Sequence, residues 1–273
     1  DADVTGVQTC ALPICSIQAV TVRSNTLCNT GVGVRGLVKA SLVIPCYNES
    51  GNICRLVALL DDDFSAADCE ILLVENGSTD GSLDILLAET AGMDQVRVMK
   101  VPINKGYGYG IRQGLAAAKG DILAWTHADL QASPQDLLEG IKLFQNSEDP
   151  TRLFVKGQRY GRSFRDVLFT WGMTLFESLL LRQWMADINA QPTIFHRQFL
   201  QSWENPPDDL TLDLYAFHLA SKNKFLIRRF PVFFGPRSYG KGQNESLASK
   251  IRNSWKTMAY SMELRRRTSE RGK

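Results

Sequence analysis

The sequence predicts an α/β fold: a mostly parallel sheet flanked by helices, followed by a carboxy-terminal helical and basic elaboration. Three observations carry this reading. Short, near-continuous runs of Val, Ile and Leu recur from residue 39 onward. Stretches with apolar residues at helical spacing separate the runs. Polar or glycine-rich clusters follow them. Strands that are apolar on both faces and joined by helical crossovers belong in a parallel sheet covered on both sides.

Taken in order, residues 41–44 form a first strand ending at Pro45, and residues 52–63 carry leucines at helical spacing. Residues 70–74 read as a buried strand, the Gly77-Ser78-Thr79-Asp80-Gly81 cluster as a turn, and residues 82–90 as a helix. Residues 95–101 supply a third strand, the glycine-rich segment 104–110 leads into a helix ending near Gly120, and residues 121–126 give a fourth strand. Ser133 is an N-cap candidate, with Pro134 at the first helical position and Asp136 in the first turn, so a helix should run to Gln145. Beyond Pro150 the alternation loosens: a strand over 152–157, a long apolar helix over 166–184, a strand over 225–234, and a helical tail from Glu245 ending in Arg265-Arg266-Arg267. The expected organisation is a leader over 1–36, one α/β domain over 37–245 and a helical basic tail over 246–273.

The leader lacks hydrophobic periodicity and the basic-then-apolar pattern of a secretory signal. Its Val4-Thr5-Gly6-Val7-Gln8-Thr9-Cys10-Ala11-Leu12-Pro13-Ile14 run resembles a translated sequencing adapter, so a non-native or disordered leader is the expectation. A chain of 273 residues can bury a substantial core. With 31 Lys and Arg against 29 Asp and Glu, net +2, no global basic field points to nucleic acid. The six cysteines include no C-x-x-C pair, and Cys46, Cys54 and Cys69 fall in or beside apolar segments, which fits reduced thiols in a cytoplasm. The most apolar stretch, 167–181, contains Glu177 and is shorter than the roughly 20 residues a membrane span needs.

In an open parallel sheet, ligands gather at the carboxyl ends of the strands. Three predicted strands end in polar clusters: Pro45-Cys46-Tyr47-Asn48-Glu49, Glu75-Asn76-Gly77-Ser78 and His127-Ala128-Asp129-Leu130-Gln131. Together they offer an aromatic face, amide and carboxylate acceptors for a base and ribose, and oxygen and nitrogen ligands for a divalent cation. A nucleoside diphosphate requires those groups.

Ser41-Leu42-Val43-Ile44-Pro45-Cys46-Tyr47-Asn48-Glu49 resembles the opening strand and loop of family 2 glycosyltransferases, and Val74-Glu75-Asn76-Gly77-Ser78-Thr79-Asp80-Gly81 is similar to their Asp-Asp-Gly-Ser-Thr-Asp segment. Asn104-Lys105-Gly106 and Ala128-Asp129-Leu130-Gln131 match the next two signatures in order, so the resemblance spans residues 41–138. Within the family the likeness is to dolichol- and polyprenyl-phosphate mannosyltransferases, whose later Arg, Gly, Lys cluster is echoed by Arg237, Gly240 and Lys241. The resemblance implies a GT-A (Rossmann-like) fold and an inverting transfer from a nucleotide-sugar donor to a polyprenyl phosphate, at the inner face of the membrane. A sugar or protein hydroxyl as acceptor and an inactive nucleotide-sugar binder are the alternatives.

Residue by residue, the resemblance implies that Pro45, Tyr47, Asn48, Glu49, Glu75 and Lys105 hold the donor, and that Asp129 and Gln131 bind Mg²⁺ or Mn²⁺. His127 stands where the family has Asp; it either joins the metal set, favouring Mn²⁺, or packs beside the site. Arg159, Arg165, Arg237 and Lys241 look like the family's phosphate-binding cluster, with Asp129, Asp187, Arg159 and Arg237 as the catalytic group. Asp187 would be a general base toward a hydroxyl; toward a phosphate it would position the sugar or cap structure. The helix over 166–184 reads as core or as an interfacial helix, since Phe164, Phe169, Trp171, Phe176 and Trp184 lie among Arg162, Arg165 and Arg182. Gly31-Val32-Gly33-Val34-Arg35-Gly36 matches a dinucleotide fingerprint but precedes the first strand. Gly106-Tyr107-Gly108-Tyr109-Gly110 lacks a P-loop ending and reads as a flexible loop before a helix.

Overall fold

A computed structural model describes residues 39–64, 67–237, 239 and 247–270. Expectations for the leader, the fingerprint at 31–36, Gly240 and Lys241 lie outside those residues. Among the described residues, seven strands form one sheet, β1 (Ala40–Cys46), β2 (Cys69–Glu75), β3 (Val96–Lys100), β4 (Ile122–Trp125), β5 (Leu153–Tyr160), β6 (Thr193–His196) and β7 (Leu226–Phe233), in the order β3-β2-β1-β4-β6-β5-β7. Helices α1 (Ser50–Phe64), α2 (Ser82–Glu89), α3 (Tyr107–Ala117), α4 (Asp136–Gln145), α5 (Phe164–Leu181), α6 (Leu212–Lys222) and α7 (Leu247–Glu270) complete it.

Strand β6 alone runs against its neighbours β4 and β5; the remaining pairs are parallel. The mostly parallel α/β architecture is therefore the observed one. The inner strands β1, β2 and β4 are apolar on both faces because both are covered, while the edge strands β3 and β7 are only partly buried. Leu42 and Ile44 of β1 enter a core cluster with Ile53, Leu56 and Leu137, while Val43 between them enters a second with Ile111, Leu115 and Phe217. Each such buried aliphatic side chain contributes about 1.5–3 kcal/mol.

Several local expectations change. The predicted 166–184 helix starts at Phe164 because Ser163 caps it, accepting from the Asp166 amide at 3.3 Å. It stops at Leu181, where Arg182 turns into the left-handed region at φ 55°. Residues 106–110 are no flexible loop: the helix begins at Tyr107, and a Cβ on Gly106 or Gly108 would lie 2.3 or 2.7 Å from backbone oxygens of Asp208 or Asp209. Those glycines permit a close approach of two backbones. Cys54 is exposed; Cys46 and Cys69 are buried, and all three are free thiols.

Candidate active site

The order of the sheet reverses between β1 and β4, the switch point beyond whose carboxyl ends an open α/β sheet forms its ligand crevice. The loop after β1 is held to the segment after β2. Ser78 Oγ accepts from the Asn48 amide (3.1 Å), Ser82 Oγ from the Glu49 amide (3.1 Å) and Asp80 Oδ2 from the Ser50 amide (3.0 Å). Asn48 sits in the left-handed region at φ 54°, and its Oδ1 accepts from the Thr79 amide at 2.9 Å. Of the residues expected to face a nucleoside, Tyr47 is exposed on this loop and Pro45 is half-buried within β1. Glu75 is buried, and its carboxylate accepts from the Ser78 amide, so it braces the loop. Lys105 lies over the Tyr109 ring, 5.1 Å from its centroid.

Across the crevice, Thr126 follows β4 and leads to His127, Asp129 and Gln131. Leu130 adopts φ 58°, which turns the chain so that Asp129 Oδ1 accepts from the Gln131 amide at 3.2 Å. Arg237 bridges the two walls. Its guanidinium donates to Asp129 Oδ2 at 2.8 Å and to Glu49 Oε1 at 3.2 Å. Burial raises the Glu49 pKa from its ordinary value, against the opposing pull of the Asn52 amide and Arg237. Arg237 is itself fixed from behind: Gly235 N donates to Gln131 O at 2.8 Å, and Gln131 Nε2 donates to Gly235 O at 3.1 Å.

Asp129 offers a carboxylate, Gln131 a carboxamide oxygen and His127 an imidazole, a hard oxygen and nitrogen set compatible with Mn²⁺ or Mg²⁺. Among the described residues there is no cluster of three or more His, Cys, Asp or Glu, so a cation here would draw further ligands from water or substrate. The His127 ring stacks on Tyr107, centroids 5.0 Å apart.

Behind His127 lies a buried polar network absent from the sequence expectations. Asp213 Oδ1 accepts from Gln191 Nε2 (2.8 Å) and Trp125 Nε1 (3.2 Å), and Lys156 Nζ lies 3.7 Å from it while donating to Thr193 Oγ1 at 2.8 Å. Burial lowers the Lys156 pKa to about 8, with Asp213 opposing. Gln191 also reaches the Tyr107 hydroxyl at 3.2 Å. Burial, then the Asp213 and Asp129 carboxylates, raise the Tyr107 pKa well above the ordinary range, so its phenol keeps the proton.

A second charged cluster occupies the same edge of the sheet, beyond β5. Asp187 accepts from the Arg159 amide at 3.0 Å and from its Nε at 2.9 Å, with Arg162 at 3.8 Å, and Arg229 donates to the Ala186 carbonyl at 2.6 Å. Burial alone would raise the Asp187 pKa, but Arg159 and then Arg162 pull it below the usual carboxylate value. The four expected phosphate-binding residues are thus distributed. Arg159 joins Asp187, Arg237 joins Asp129 and Glu49, Arg165 is exposed on the first turn of α5, and Lys241 falls outside the described residues. Arg162 and Arg229 complete the cluster instead.

The family model of glycosyl transferase family 2 matches residues 41–198, which contain all but the first residue of β1, β2 through β6 and every described site residue but Asp213, Arg229, Gly235 and Arg237. The chain belongs to this family. Among curated relatives, this glycosyltransferase is 30% identical over 112 residues to an uncharacterized glycosyltransferase, YfnE, of Bacillus subtilis (41% of this chain, 28% of that one). It is 31% identical over 137 residues to the undecaprenyl-phosphate 4-deoxy-4-formamido-L-arabinose transferase of Erwinia tasmaniensis (49% and 42%). The chain therefore spans less than half the length of the curated relatives it matches. In structure the glycosyltransferase is similar to glucosyl-3-phosphoglycerate synthase from Mycobacterium tuberculosis in complex with Mn²⁺, UDP and phosphoglyceric acid (TM-score 0.64, 18% identity, 84% of this chain and 78% of that one). It is also similar to the mannosyltransferase PcManGT from Pyrobaculum calidifontis in complex with GDP-Man and Mn²⁺ (TM-score 0.59, 19% identity, 83% and 69%). At these identities the likeness is one of fold, the GT-A fold.

Proposed function

We propose that this glycosyltransferase moves a sugar from a nucleoside diphosphate donor to a polyprenyl phosphate, with inversion at the anomeric carbon, at the inner face of the membrane. The observation that carries the reading is the arginine cluster around Asp187. Three guanidinium groups, Arg159, Arg162 and Arg229, outnumber the carboxylates facing them, Asp187 and the more remote Asp166 beside Arg162, and leave positive charge in excess on the edge of the sheet that also bears Asp129. Planar arginine forks match phosphate oxygens. Exposed rings of Tyr160 and Phe164 lie close to Arg159 and Arg162 in the chain, Phe233 packs on Tyr160 with centroids 5.6 Å apart, and the three would meet an isoprenoid tail. The undecaprenyl-phosphate relatives support the same acceptor class.

In this reading Tyr47, Asn48, Glu49 and Glu75 shape the nucleoside pocket. Asp129 and Gln131, with His127 as a nitrogen ligand that favours Mn²⁺, would hold a divalent cation, whose charge stabilises the departing diphosphate. Arg237 exchanges its carboxylate partners for donor phosphate oxygens and stabilises the same developing charge. An oxygen of the acceptor phosphate attacks the anomeric carbon as the bond to the diphosphate breaks on the opposite face. That oxygen is already anionic, so no proton has to leave. Asp187, its pKa lowered by two arginines, is a weak base, and its work is to hold Arg159.

The test is nucleotide release from GDP- and UDP-sugars with Mn²⁺ or Mg²⁺, with and without a short polyprenyl phosphate. Release should require the lipid phosphate and fall at least about 10²-fold in Asp129→Ala. In Arg159→Ala the KM for lipid phosphate should rise more than that for the donor. Release without the lipid would transfer the proposal to a hydroxyl acceptor; tight donor binding with no release would leave a bare binder.

A further inference from the structure

Helix α5 packs its Thr174, Glu177 and Leu181 inward and turns a row of large apolar side chains to solvent: Phe164 (80% exposed), Leu168 (62%), Trp171 (63%), Leu175 (58%) and Leu179 (69%). At 100° per residue these five lie within an arc of about 80°, a continuous stripe four turns long. Its neighbour α7 repeats the arrangement. Ser261 and Leu264 are buried while Ile251, Trp255 and Met262 are exposed on one side. The two helices are joined where Ser261 Oγ donates to Glu177 and Arg265 donates to the Leu180 carbonyl at 3.2 Å. Exposed apolar surface of this extent marks an interaction face.

We propose that the solvent faces of α5 and α7 dock on an anionic lipid bilayer. The charge pattern selects that occupant. Helix α7 carries six Lys and Arg against two Glu, and Arg252, Lys256, Arg265 and Arg266 are exposed beside its apolar residues. The acidic groups of α5 are engaged: Asp166 pairs with Ser163 and Glu177 is buried. A second copy would bring like charge against like charge, whereas phosphate headgroups complement it. Tryptophans beside long basic side chains suit the boundary between headgroups and acyl chains, the rings entering the apolar layer and the cations staying wet. The helices lie along the surface; among the described residues no helix is long and apolar enough to cross a membrane. This docking does not depend on the acceptor, so it stands or falls apart from the reaction.

The experiment is sedimentation of the full chain with vesicles of phosphatidylcholine alone or with 30% phosphatidylglycerol (about that fraction suffices for a strongly negative surface), all without polyprenyl phosphate. Binding should need the anionic lipid and weaken at least tenfold in Trp171→Glu/Leu175→Glu. It should weaken as the salt rises and in Arg252→Glu/Lys256→Glu, while circular dichroism and soluble-donor binding stay unchanged in both variants. Equal vesicle binding by wild type and both variants, or none by any, overturns the proposal. So does a concentration-dependent dimer that Trp171→Glu/Leu175→Glu abolishes without any vesicle binding, which would assign the face to a second copy.

Discussion

Glu177 shows how a single buried group makes stability depend on pH. One carboxylate oxygen accepts from Ser261 and the other has no partner, and burial pushes the pKa to about 7 against the Ser261 hydrogen bond. A carboxyl whose folded pKa is raised keeps its proton after the unfolded chain has lost it. Its contribution is therefore whole below the ordinary value near 4.5 and is lost as pH rises toward 7. Urea unfolding should show wild-type stability declining across that window by on the order of 3 kcal/mol more than that of Glu177→Gln. A parallel decline in both proteins would refute the assignment. At this scale the sequence shows Tyr47, Glu49, Asp129 and Gln131 plainly, because each follows a strand in a short loop. Arg162, Arg229 and Asp213 stay hidden, since their partners are remote in the chain and no local spacing reports them.

Among the elements, those with a strong period were legible and those without one were not. Helix α6 is buried at Leu212 through His218 without interruption, so it has no polar face to give a helical rhythm. Strand β6 has four residues and runs against its neighbours, and nothing in Thr193-Ile194-Phe195-His196 states its direction. The pairing of β5 with the turn before β6 depends on Gly157. An added Cβ there would lie 2.1 Å from the Gln191 carbonyl oxygen and 2.9 Å from its carbon, both backbone atoms that cannot swing away. Gly157→Ala should cost about 1–3 kcal/mol in chemical denaturation. Because Gln191 bonds Asp213 and Tyr107, donor affinity should fall with it in calorimetry. A variant of unchanged stability would mean that the turn yields.

For the whole molecule, the alternation of apolar runs and helices foretold a crevice at the carboxyl edge of a parallel sheet, and the fold places it where the strand order turns back. The sequence was less informative about its closure, because Arg237 comes from more than a hundred residues beyond Asp129 and only the folded sheet brings them together. Helix α7 stands apart from that crevice and packs on α5 and α6. Removing residues 247–273 should lower the melting temperature, by about 2–4 °C per kcal/mol lost, and leave soluble-donor binding intact. Loss of donor binding in a folded truncation would show that the tail shapes the crevice as well. The paired hydrogen bonds between Gly235 and Gln131 also set a rule of length for any descendant of this chain. Insertions can accumulate in the turns on the opposite edge, but one extra residue between Phe233 and Arg237 would displace the guanidinium by about 3.3 Å, more than a hydrogen bond can stretch. Lineages that retain this chemistry should therefore keep that spacer at a fixed length while the sequence within it drifts.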